Sequence, residues 1–196
     1  MDPIEIIATI FGLLCVWFIV RESIWTFPTG IIMVSLYIII FYQVRLYSDM
    51  GLQVFYVAFN IYGWYNWLHG GKDHGKLTVS YIGSKEAVLW TAIGGVTIAA
   101  LGYGMSTYTN ASFPYWDAST TIMSLIAQWL MTRKVIEHWL LWITVDVISI
   151  CLYLLKSLYL TSGLYAVFLV LSIMGYVEWR KSYRTLATSS PEGSYA

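Results

Sequence analysis

Charge is what this sequence has least of. Of its 196 residues, 11% are Asp, Glu, Lys or Arg, against about 25% in an average soluble domain. The formal net charge is zero and no basic run occurs, so the electrostatic footprint of a nucleic-acid partner is missing. Cysteine is scarce too. Cys15 and Cys151 both lie in apolar runs without CxxC or CxxH spacing, which makes them small buried hydrophobes rather than disulfide or metal ligands. Neither HExxH nor GxSxG is present, so neither motif's hydrolytic machinery is available, and no enzyme activity or cofactor is expected. No basic segment precedes the first apolar run, which is expected to be retained rather than cleaved as a signal peptide.

What is present is apolar surface. Hydrophobic residues make up 58% of the chain and aromatics 17%, with a mean hydropathy of +0.65. In water such a surface aggregates, whereas in lipid it matches its solvent. The fold class that follows is an all-α polytopic membrane protein.

Seven crossings are expected, at about residues 4–20, 27–47, 52–68, 87–105, 117–132, 139–159 and 162–180. Residues 47–51, ending in Gly51, read as a turn, and 181–196 as a disordered, Ser-rich tail. His69, Asp73 and His74 fall in the polar connection 69–85, a solvated loop rather than a metal site. With seven crossings, one face of the membrane receives only Arg45 and Lys156. The other receives Arg21, Lys72, Lys76, Lys85, Arg133, Lys134, Arg180, Lys181 and Arg184. The positive-inside rule then places the N-terminus outside and the C-terminus in the cytoplasm.

An internal repeat organises these crossings. Shifting the chain by 112 residues lays 5–67 on 117–179 and pairs Thr9/Thr121, Ile10/Ile122, Leu13/Leu125, Trp17/Trp129, Arg21/Arg133 and Ile24/Ile136. The same shift pairs Leu46/Leu158, Tyr47/Tyr159, Gly51/Gly163, Leu52/Leu164, Gly63/Gly175 and Trp67/Trp179. The plan is a first three-helix repeat over 1–68, a loop and linker helix over 69–112, a second repeat over 113–180 and the tail over 181–196. Three crossings, one linker and three crossings make a parallel repeat. In transporters of this plan the solute site lies at the repeat interface near mid-membrane.

Polar stripes at helical spacing mark candidates for that site. Asp117, Thr121, Ser124 and Gln128 share one helix face, and Trp142, Asp146, Ser149, Tyr153 and Lys156 share another. A third face carries Gln53, Tyr56, Asn60, Trp64 and Trp67, and a fourth Tyr165, Ser172, Tyr176 and Trp179. Intramembrane polar groups need partners, and the bland reading is that they bond one another between helices. That reading is set against function most evenly for Ser35, Thr121, Ser149 and Ser172. Asn60, Gln128 and Asp146 are larger, near mid-span and accompanied by aromatics. Flat aromatic walls with amide or carboxylate groups suit a planar, polar, cationic heteroaromatic solute.

The runs WTFPTGI at 25–31, IYGWYNW at 61–67, the stretch 115–165 and GYVEW at 175–179 resemble the PnuC family of vitamin-uptake proteins. The resemblance covers the chain except its tail and the 69–85 loop. It implies a 3+1+3 fold akin to the SWEET sugar facilitators, a homotrimer in the bacterial inner membrane with lipid around it, and uptake of nicotinamide riboside by facilitated diffusion. The matching site positions are Asn60, Trp64, Gln128, Trp142 and Asp146, with Thr121, Ser124, His138 and Tyr153 on or beside the same faces. One position departs from the family. Its riboside carriers read Glu-Asn-Trp-x-x-Trp, and here the run is Glu137-His138-Trp139-Leu140-Leu141-Trp142. An imidazole cannot reproduce an amide's paired donor and acceptor. Thiamine or riboflavin therefore stands as the alternative solute, and a SWEET-like sugar as a more remote one.

Overall fold

The computed structural model describes residues 3–43, 45, 47–71, 74–109 and 112–189. Leu46 of the repeat, Lys72 of the charge pattern, Asp73 and residues 190–196 of the expected tail lie outside them. Seven helices follow one another: α1 (Pro3–Val20), α2 (Thr26–Gln43), α3 (Tyr47–His69), α4 (Ser84–Tyr108), α5 (Pro114–Thr132), α6 (His138–Leu155) and α7 (Tyr159–Ser189). Five of them, α1, α2, α4, α6 and α7, are long and apolar enough to cross a membrane. An 18-residue helix spans about 27 Å, close to the ~30 Å hydrocarbon core. The other two, α3 and α5, hold the Gln53–Asn60 and Thr121–Gln128 stripes, which lowers their apolar content.

Several boundaries differ from the sequence expectation: α2 stops at Gln43 and α6 at Leu155, each four residues early. The turn expected at 47–51 is helical, because α3 begins at Tyr47. The left-handed residue that breaks the chain is Arg45, with φ 60. At the other end, α7 continues nine residues beyond Arg180, to Ser189. Its extension contains Lys181, Arg184 and Leu186, good helix formers, and no Gly or Pro stop occurs before Pro191.

After α1, α5 and α6 the chain reverses at a left-handed residue other than glycine. After α1, Glu22 takes φ 51; its N–H donates to the Ile19 carbonyl at 2.9 Å, and the Ser23 N–H to the Phe18 carbonyl at 2.9 Å. This is a Schellman cap, which normally favours Gly at the left-handed position. After α5 the pattern recurs. Lys134 takes φ 52, its N–H reaches the Met131 carbonyl at 3.0 Å, and the Val135 N–H reaches Leu130 at 3.1 Å. After α6, Ser157 takes φ 58 with the Ser157 N–H on Leu154 and the Leu158 N–H on Tyr153. Glu22 and Lys134 stand 112 residues apart, and Arg45 and Ser157 are separated by the same interval. A left-handed non-Gly residue costs about 1–2 kcal/mol, so each is held by its surroundings.

The described residues fall into two compact units. One comprises those of Met1–Val79, Met131–Lys134 and Val177–Ala196; the other comprises those of Ser80–Leu130 and Val135–Tyr176. In the first, α2 packs against both α1 and α3, around Ala8, Cys15, Phe27, Val34, Trp67 and Trp179. Gly30 lets Asn60 approach, since a Cβ there would lie 2.6 Å from Asn60 Oδ1 and 3.2 Å from Cys15 Sγ. Cys15 Sγ in turn lies 3.4 Å from the Thr26 hydroxyl, and that hydroxyl donates to the Cys15 carbonyl at 3.1 Å. In the second unit the core includes Ala118, Ala127, Leu130, Val135, Ile136, Trp139, Val145 and Leu152. Ser80 forms an isolated parallel bridge with Val135, and the Ile136 N–H donates to the Ser80 carbonyl at 2.9 Å. Glu137 Oε2 accepts the Ile82 N–H at 3.0 Å. These bonds pin the end of the long loop beside the start of α6.

Candidate functional site

The polar residues expected from sequence are carried by α3 in the first unit and by α5 and α6 in the second. Asn60 is 4% exposed, and its Nδ2 donates to the Tyr56 carbonyl one turn back at 2.8 Å. Its carbonyl oxygen is thereby turned toward the Gly30 gap. Trp64, four residues on, is 38% exposed.

On α5, Thr121 and Ser124 are half-buried and Gln128 is buried. The Thr121 hydroxyl donates to the Asp117 carbonyl at 2.8 Å, so it is spent within its own helix. Gln128 differs. It is 9% exposed, yet no hydrogen bond among the described residues uses its carboxamide. Its carboxamide is not among the fully buried groups left without a partner, so it keeps an accessible edge at which a polar solute can bond.

On α6, Trp142 and Tyr153 are half-buried, while Asp146 and Ser149 are buried. Asp146 Oδ2 accepts the Ser172 hydroxyl of α7 at 2.9 Å, with both side chains buried. A carboxylate offers about four acceptor positions, so this one hydroxyl leaves most of them available. Ser172 was legible only as one member of a stripe, yet it is the residue that bonds Asp146. Its counterpart 112 residues earlier is Asn60, also a buried polar group. The Tyr153 ring lies 5.3 Å from Tyr165, which in turn meets Phe168 edge-on at 6.0 Å, giving α6 and α7 a shared aromatic surface.

His138 is the first residue of α6. It is completely buried, its Nδ1 lies 2.7 Å from the Val135 carbonyl, and its ring is 4.5 Å from that of Trp139. The imidazole fastens the turn that opens α6. No side chain caps that helix, because the Glu137 carboxylate is committed to Ile82.

This chain matches the family described as nicotinamide mononucleotide transporter over residues 2–181. It is 34% identical to the nicotinamide riboside transporter PnuC of Escherichia coli (strain K12), with 92% of this chain and 86% of the relative covered. It is 24% identical to the riboflavin/roseoflavin transporter RibM of Streptomyces davaonensis, over 95% of this chain and 91% of the relative. A crystal structure of the vitamin B3 transporter PnuC superposes with a TM-score of 0.71 at 26% identity, covering 91% of this chain and 81% of that one.

Proposed function

Because this chain belongs to the nicotinamide mononucleotide transporter family, we propose that it carries nicotinamide riboside across a bacterial inner membrane. The observation that carries the reading is the 34% identity, over nearly the whole chain, to a relative named for that solute. The matched span takes in every candidate polar residue. The fold plan we propose is seven crossings in a 3+1+3 repeat, with the N-terminus outside, the C-terminus in the cytoplasm and three copies per assembly. The left-handed residues recurring at a spacing of 112 support the repeat. So do the bonds that surround them.

In this reading Trp142 stacks on the nicotinamide ring, a cationic face suited to an indole. Gln128 and Ser124 fix its carboxamide or ribose through hydrogen bonds, and Asp146, steadied by Ser172, offers acceptors to hydroxyl groups. Asn60 acts within the first unit, where its carbonyl oxygen faces Gly30. His138 acts through the α6 turn rather than by contact, so the imidazole in place of an amide leaves the riboside specificity intact. Transport is facilitated diffusion, because Asp146 is the single carboxylate deep within a crossing and provides no ion-coordinating cluster.

The test is calorimetric titration of the detergent-purified protein with nicotinamide riboside, thiamine and riboflavin in parallel. The expected result is heat of binding for the riboside alone. Binding of riboflavin alone would favour the RibM-like alternative and overturn this one, as thiamine alone would.

A further inference from the structure

The geometry points to Glu22 and Lys134 as positioning residues for transport, an ionic latch holding shut the cytoplasmic end of the carrier. This rests on the transporter reading above. Lys134 Nζ lies 3.2 Å from Glu22 Oε2 with side chains 11% and 23% exposed, and 4.5 Å over the Trp67 ring. Both residues occupy the left-handed position of a helix cap, so their side chains leave the backbone at equivalent points.

The surrounding bonds are reciprocal. The Trp67 Nε1–H donates to the Met131 carbonyl at 3.1 Å, and the Trp179 Nε1–H to the Ile19 carbonyl at 2.9 Å. Those two carbonyls are the acceptors of the Lys134 and Glu22 N–H groups. Each proposed repeat thus closes the first-helix cap of the other with the indole of its third helix. Asn66 adds a bond from Nδ2 to the Thr132 carbonyl at 2.9 Å, and the Trp67 and Trp179 rings meet at 5.9 Å. The result is that Met131–Lys134 belongs to the same compact unit as α1–α3.

A carrier must open one end to release its solute, and these contacts tie the first repeat to the second at that end. The indole bonds and buried rings make the joint stiff. The ion pair is its most exposed component, with Glu22 23% exposed against 3% for Trp67 and 0% for Trp179, so it is the part that water reaches first when the joint opens. Neutralising it shifts the equilibrium toward the form open at this end, since only the closed form gains from the pair.

The experiment reads opening without any solute. Thr132 is completely buried, so Thr132→Cys in a Cys151→Ser background reports access from the cytoplasm to a membrane-impermeant maleimide in inside-out vesicles. Cys15, 8% exposed, serves as the control for unfolding. Glu22→Gln and Lys134→Gln are expected to label at Thr132→Cys at least fivefold faster than the parent, with Cys15 protected. Lys134→Arg, which keeps the charge, is expected to label within twofold of the parent. Unchanged rates in both Gln variants would overturn the latch, as would equal acceleration by Lys134→Arg or concurrent labelling of Cys15. Calorimetry with nicotinamide riboside on the parent separates the two readings, because absence of binding would contradict the transporter while leaving the labelling result to stand.

Discussion

Gln128→Ala and Trp142→Ala are each expected to weaken nicotinamide riboside binding at least tenfold while leaving the fold intact. A tenfold loss corresponds to about 1.4 kcal/mol. A desolvated cation–π contact is worth about 2 kcal/mol or more, and a charge-assisted or well-buried hydrogen bond about 1–3 kcal/mol. Gln128 is the sharper of the two. No hydrogen bond among the described residues uses its carboxamide, so its truncation breaks no bond within the protein. The variant should therefore melt at or slightly above the parent's temperature. Trp142 is half-buried, and its loss removes packing as well as the stacking surface. Calorimetry together with a detergent melt separates these effects. Unchanged affinity in both variants would remove α5 and α6 from the site.

The second large effect is on stability. Gly175→Ala places a methyl group against the six-membered ring of Trp139, whose side chain is 1% exposed and cannot yield. Overpacking of this kind costs about 1–3 kcal/mol, here at the upper end. For a chain of this length that lowers the melting temperature by roughly 6–12 °C. The related Gly63→Ala meets Phe27 Cε1 at 2.6 Å and Thr132 Cγ2 at 3.1 Å and should behave similarly. Gly51→Ala and Gly163→Ala form the contrast. Nothing lies within 4 Å of a Cβ at either position, and both lie within helices, so each should be neutral or stabilising by up to about 1 kcal/mol. A melt in which all four variants behave alike would contradict the packing described for α3 and α7.

These glycines also show what the sequence could and could not disclose. Gly63/Gly175 and Gly51/Gly163 recur at the same spacing and read alike in one dimension, yet only the first pair faces an aromatic ring. The helices themselves were legible because their apolar runs match a bilayer's thickness. Their ends were not, because the reversals use Glu22, Arg45, Lys134 and Ser157 in the left-handed conformation, residues that carry no turn signal. Gly51 drew the second turn away from Arg45 for that reason. The stripe on α6 disclosed Asp146 and Ser149, but its partner Ser172 lies 26 residues away, and a hydroxyl among Leu and Ile does not reveal which carboxylate it serves. The sequence left His138 between a solute contact and a role at the start of α6, and the structure adds the bond between its ring and the Val135 carbonyl.

The most direct measurement is uptake of radiolabelled nicotinamide riboside into liposomes containing the purified protein. Saturable uptake that stops when inside and outside concentrations are equal is expected, with exchange against unlabelled riboside and no response to an imposed proton or sodium gradient. No protein-dependent uptake, or accumulation above the outside concentration driven by either gradient, would contradict a facilitator of this solute.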